Sequence, residues 1–77
     1  MRELLEFLLK GILGDDHYSI EEEKEENHLG FLISTKPENM GLIIGKKGKT
    51  IKAIRNLLRV RATLEKKGVS VSVLEKE

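Results

Sequence analysis

Ten residues, GLIIGKKGKT at 41–50, constrain this chain more than any others. They hold three glycines and three lysines. A main chain freed of Cβ atoms at two closely spaced points can turn sharply and lets a ligand approach it. Apolar residues flank the turn at helical spacing, as Ile43-Ile44-Gly45-x-x-Gly48-x-x-Ile51-x-x-Ile54. The segment therefore reads as helix, turn, helix, with the start of the second helix at the turn. First-turn N–H groups of a helix lack intrahelical partners and sit at the positive end of its dipole. They form a place where an anion is held against main chain. Lys46, Lys47 and Lys49 add charge there without needing fixed geometry.

Two kinds of phosphate would suit such a turn: the tail of a nucleotide, or the backbone of a nucleic acid. A nucleotide loop of the Walker type needs G-x-x-x-x-G-K-[ST] between a strand and a helix. Gly48, Lys49 and Thr50 supply its end, but position 43, where the first glycine belongs, is Ile43. The preceding segment reads as a helix opened by Pro37, not as a strand, and no strand ends in a candidate Walker-B aspartate. Nor do 77 residues leave room for the parallel sheet that usually carries such a site. The nucleic-acid reading is the one that survives. No nucleophile–base pair or carboxylate dyad follows from spacing, so no enzyme and no cofactor is expected.

The charges agree with a polyanion partner. The formal net charge is only +1, but it is segregated. Residues 1–45 carry 4 basic and 10 acidic side chains, while residues 46–67 carry 9 basic and 1 acidic. The basic block starts at the glycine turn, and segregation of this kind marks a surface for negative charge. Lysines on an ordinary solvated face are the plainer explanation of the same block.

Hydrophobic periodicity divides the chain into six elements. Leu5, Leu8, Leu9 and Ile12 recur at helical spacing, which predicts a helix over 2–13, ended by Gly14. Tyr18 and Ile20 alternate with polar residues and favour an edge-like strand over 17–25, although Ser19 and Glu22 imitate a helix capping box. Leu29, Phe31 and Ile33 share one face of a strand over 28–34, with Asn27 suited to the hairpin turn before it. Pro37 at a first helical position opens a helix over 37–44, capped by Thr35 or Lys36. A longer helix follows from about 48 to 64. Gly68 breaks the chain, and Val69, Val71 and Val73 then alternate with Ser70, Ser72 and Leu74 in a last strand over 69–74. The fold class is α+β in the order α-β-β-α-α-β, a single domain over 1–77 whose small size implies modest stability.

The extended motif around the turn, this element order and the run Lys52-Ala53-Ile54-Arg55 together resemble the KH domain family of RNA-binding modules, type II. The lead-in Lys36-Pro37-Glu38-Asn39-Met40-Gly41 and the length resemble the short bacterial proteins made of one KH domain, the KhpA type. The resemblance spans nearly the whole chain and is weakest over 15–28. It implies a three-stranded sheet with helices packed on one face, and a G-x-x-G loop that clamps the backbone of single-stranded RNA. By position, Gly45, Lys46, Lys47 and Gly48 would be the clamp, with Lys49 beside them. Ile43, Ile44, Ile51 and Ile54 would be groove floor or core, and bases would lie against aliphatic side chains. The resemblance also implies a post-transcriptional or RNA-chaperone role, and self-association or pairing with a second RNA-binding protein. Only three aromatics are present, Phe7, Tyr18 and Phe31, and a groove of this kind does not depend on stacking. Phe31 is expected in the core. Single-stranded DNA remains a weaker alternative to RNA, and a protein–protein module remains the alternative to both.

Around the axis of the long helix, at about 100° per residue, three arcs separate. Ile51, Ile54, Leu58 and Ala62 fall within about 80° of one another and form a core stripe. Lys52, Arg55 and Arg59 form a basic ridge beside it, a continuation of a phosphate track or a solvated face. Ala53, Leu57, Val60 and Leu64 form a second apolar stripe on the far side. Burial of that stripe between sheet and first helix is the expected arrangement; a two-fold dimer contact through Leu57 or Leu64 is the alternative.

His17 and His28 could face each other across the hairpin, but no metal site is expected from two surface histidines. There is no cysteine, and the leading apolar segment is broken by Glu3, Glu6 and Lys10. A chain that begins at Met1 with no signal peptide or membrane span is expected to be complete and cytoplasmic.

Overall fold

The computed structural model describes residues 1–14 and 18–75. His17, and with it the proposed pairing of two histidines, lies outside the described residues. Helix α1 (Arg2–Leu13) is followed by strands β1 (Tyr18–Lys24) and β2 (His28–Thr35), helices α2 (Pro37–Ile44) and α3 (Lys49–Leu64), and strand β3 (Gly68–Glu75). This is the type II KH order. The first element ends as its sequence dictates: Gly14 takes a left-handed conformation (φ 73°) and its N–H closes on the Lys10 carbonyl at 2.9 Å. Residues 18–24 are a strand, so the capping-box pattern at Ser19 does not start a helix; only Ile20 is there to bury. Lys36, extended at φ −67° and ψ 152°, caps α2 ahead of Pro37. The left-handed residue that ends α3 is Lys66 (φ 58°), not Gly68, which opens β3.

The strands form one mixed sheet in the order β1-β2-β3. β1 runs antiparallel to β2, and β3 runs parallel to it. The helical connection from β2 to β3 is what a parallel pair requires. Register places Ile20, Ile33, Phe31, Leu29 and Val71 on one face, where they meet Leu5, Leu9, Ile43, Ile51, Ile54 and Leu58 from the three helices. That face is the core, and Phe31 is in it. The opposite face carries Ser19, Glu21, Glu23, Ser70 and Ser72, all exposed, and no helix of the described residues covers it.

The core stripe of α3 lies where its periodicity puts it: Ile51, Ile54, Leu58 and Ala62 are all buried. The expected burial of the second stripe does not occur. Leu57, Val60 and Leu64 are 50%, 63% and 78% exposed, and Ala53 is exposed too. The reason is the seat of α1. Arg2 donates to the Ile20 carbonyl at 3.2 Å, and the Tyr18 hydroxyl donates to the Glu6 carbonyl at 3.4 Å. These bonds tie α1 to the β1 side of the sheet, so it does not reach the far side of α3.

Burial along α1 yields a contrast between two large apolar residues two positions apart. Leu9 is fully buried and Phe7 is exposed. Leu9→Ala is expected to cost about 2–5 kcal/mol and Phe7→Ala no more than about 0.5 kcal/mol, measured by urea unfolding at constant m-value.

Candidate nucleic-acid interface

The turn between α2 and α3 is built from backbone conformations that most residues avoid. Gly45 has φ 77° and ψ 171°, Lys47 has φ 57° and ψ 25°, and Gly48 has φ 76° and ψ 14°. The two glycines are not equivalent. A Cβ on Gly45 would collide with the Thr50 side chain and stand 2.8 Å from the Thr50 backbone nitrogen, whereas one on Gly48 would meet nothing within 4 Å. Thr50, the residue that completes the false Walker ending, is thus packed against Gly45. Gly48 is required by its left-handed φ alone.

The same turn engages several of its own amides. The Gly45 N–H donates to the Gly41 carbonyl (2.9 Å), the Gly48 N–H to the Gly45 carbonyl (3.1 Å), and the Lys49 N–H to the Lys46 carbonyl. Of the main-chain donors at 45–49, those of Gly45, Gly48 and Lys49 are thus engaged within the turn. Both side chains are exposed, as is that of Lys49. The loop protrudes as a cationic knuckle rather than continuing as helix.

Of the isoleucines near the turn, Ile43, Ile51 and Ile54 are buried in the core, and Ile44 is half-buried against it. A cleft of about 360 Å³ separates α3 from the free edge of β3, lined by Arg55, Arg59, Val69, Ser70, Val71 and Ser72. Its aliphatic part is therefore supplied by the valines of β3. Arg55 crosses it: Nε and Nη2 both donate to the Val71 carbonyl, at 3.3 and 3.1 Å. Arg59 stands one helical turn further on, and Lys52, one turn nearer the loop, is exposed. Two members of the basic ridge thus line one cleft with β3. The valines and serines of that cleft were legible as a strand but not as a site. Only the strand order places them beside α3.

Residues 2–73 match the family described as KhpA/KhpB, KH domain. The chain belongs to that family. Curated KhpA/KhpB-family relatives cover almost all of it, each named RNA-binding protein KhpA. That of Caldanaerobacter subterraneus subsp. tengcongensis is 36% identical over 76 residues, covering 96% of this chain and 100% of the relative. That of Clostridium acetobutylicum is 33% identical over 75 residues, with the same coverage. That of Chlamydia pneumoniae is 32% identical over 78 residues and covers both chains fully. KH domains are binding modules, and this chain is not an enzyme. No helix among the described residues is long and apolar enough to cross a membrane.

The inequality of the two glycines is testable. Gly48→Ala is expected to cost about 1–2 kcal/mol from its left-handed conformation alone. Gly45→Ala adds the collision with Thr50 and is expected to cost at least about 1 kcal/mol more, within the range for strained backbone sites. Thermal and urea melts of the two variants give the order directly.

Proposed function

We propose that this protein binds single-stranded RNA, with the sugar–phosphate backbone clamped at Gly45-Lys46-Lys47-Gly48 and the bases directed into the cleft between α3 and β3. The observation that carries this reading is the turn itself. Irregular conformations at Gly45, Lys47 and Gly48 place the exposed Lys46 and Lys47 beside the start of α3. Phosphate contacts of that kind position a strand without reading its sequence. Lys49 and Lys52 extend the charge along the strand's path. RNA rather than DNA is supported by the names of the relatives. A post-transcriptional or RNA-chaperone role in the cytoplasm is part of the same reading and rests on membership of the family.

The test is binding of a labelled single-stranded RNA across a salt series, for wild type and for Lys46→Asp/Lys47→Asp. With two to four phosphates neutralised, log K is expected to fall with log salt at a slope of roughly −1.4 to −2.8. The double variant is expected to lose binding while its circular dichroism and melting curve stay nearly unchanged, because both side chains are exposed. Undiminished affinity in that variant defeats the clamp.

A second activity, association, is favoured by a separate observation. Ala53, Leu57, Val60 and Leu64 form an unbroken exposed stripe on α3, opposite the side that packs on the sheet. Contiguous apolar surface of this kind marks an interaction site. The stripe suits a two-fold contact with a second copy, or one with another KH protein of the family, through Leu57 and Leu64. Sedimentation is expected to show wild type as a dimer and Leu57→Glu as a folded monomer; a monomer in both ends the proposal.

A further inference from the structure

The same three residue types stand at both ends of α3. Lys46-Lys47-Gly48 precedes the helix and Lys66-Lys67-Gly68 follows it. The likeness extends to the backbone. Among the described residues, Lys47 (φ 57°) and Lys66 (φ 58°) are the two non-glycine residues in the left-handed region. A residue with a Cβ is strained there, and such outliers gather at functional sites. Lys66 follows the C-cap Glu65, at the position where glycine is the usual residue. In other respects the helix ends regularly: the Lys66 N–H donates to the Thr63 carbonyl at 3.0 Å, and the Lys67 N–H to the Ala62 carbonyl at 2.8 Å. A glycine at position 66 would make the same bond without the strain. Complementing the negative end of the helix dipole does not require Lys66, because Lys67 supplies a charge there from an unstrained backbone.

The two lysine turns bound the cleft. Its walls are α3 and β3, and residues 65–67 are the chain that joins those walls. Arg55 reaches Val71 between the two turns, and Arg59 stands further along α3 toward Lys66. Lys66 is exposed and Lys67 is half-buried. Glu65, the acid beside them in sequence, is paired with Arg61 at 3.7 Å. Glu25 and Glu26 lie on the β2 side of β3, where the Gly68 N–H donates to the Asn27 carbonyl at 2.8 Å. We infer that Lys66 and Lys67 form a second phosphate contact, so that a strand held at Lys46-Lys47 is held again where it leaves the far end of the cleft. The inference rests on the RNA-binding reading above and extends its footprint past the roughly four nucleotides that a G-x-x-G loop clamps. The 16 residues of α3 separate the turns by about 24 Å, so only a strand long enough to run the helix engages both. The contacts differ in strength. At Lys46-Lys47 the helix dipole adds to the lysine charge; at Lys66-Lys67 it opposes an anion, and the ammonium groups act alone.

The experiment follows binding of uridine oligonucleotides of four and twelve nucleotides by NMR titration across a salt series. It uses the full chain and three variants: Lys66→Gln/Lys67→Gln, Lys66→Gly, and Lys10→Gln, which removes one exposed charge from α1. On the long strand the double variant is expected to flatten the slope of log K against log salt by about 1.4, two phosphates at roughly 0.7 each, and to bind on the order of tenfold more weakly at low salt. On the short strand it is expected to match wild type. Lys66→Gly is expected to lose about half of that slope while melting about 4 °C higher, because its backbone strain is gone. Lys10→Gln is expected to leave both strands unaffected. An unchanged slope in the double variant on the long strand overturns the inference and leaves the clamp standing; Lys66 and Lys67 then serve only the helix end. Equal losses on both strands, or a loss in Lys10→Gln as large as in Lys66→Gly, overturn it too, because they reduce the lysines to general attraction. Failure of wild type to bind the long strand removes the RNA reading as well, and is recognisable as that.

Discussion

Burial of one narrow stripe of α3 against the sheet governs the rest of this molecule. Ile51, Ile54, Leu58 and Ala62 leave the solvent together, and in doing so they fix both the height and the rotation of the helix. Everything else on α3 follows from that rotation. The basic ridge, offset from the stripe by less than a quarter turn, comes to overlook the edge of β3. The opposite arc turns to solvent. A helix 16 residues long thus presents three surfaces with three chemistries, and only one is used for folding.

The loop before α3 works under a different constraint. Its geometry is fixed less by contacts than by forbidden space: a Cβ at position 45 has nowhere to go. Close packing of Thr50 on Gly45 joins the end of α2 to the start of α3 with no room for slack. Three of the loop's own amides are consumed in holding that shape.

Much of this was legible in the sequence, because the strongest signals were local. Elements α1, α2 and α3 announce themselves through 3.6-residue periodicity, Pro37 and Gly14, and β2 and β3 through alternation. The angular reading of α3 separated the buried residues correctly because a regular helix converts spacing into direction. The signals failed where position depends on another element. The second stripe of α3 looked buriable, but whether it is buried depends on where α1 sits, and α1 is held by bonds that Arg2 and Tyr18 donate to main-chain carbonyls, which no periodicity encodes. Ile51 and Ile54, candidates for groove floor or core, are buried in the core, while the valines of β3 line the cleft. Strand order decides that, and a sequence with one antiparallel and one parallel pairing gives no local sign of it.

The two margins of the sheet are defended by different means. Along β1, Glu21, Glu22, Glu23 and Lys24 place formal charges on a strand that has β2 as its one neighbour in the sheet of the described residues. Along β3, a guanidinium sits on a carbonyl that an incoming strand would need. An incoming β-strand from another molecule would meet charge at one border and a blocked acceptor at the other. Growth by lateral sheet extension is therefore discouraged, and a chain this small, with so much of its ladder at a border, can remain free of runaway stacking while its helical side stays open to company.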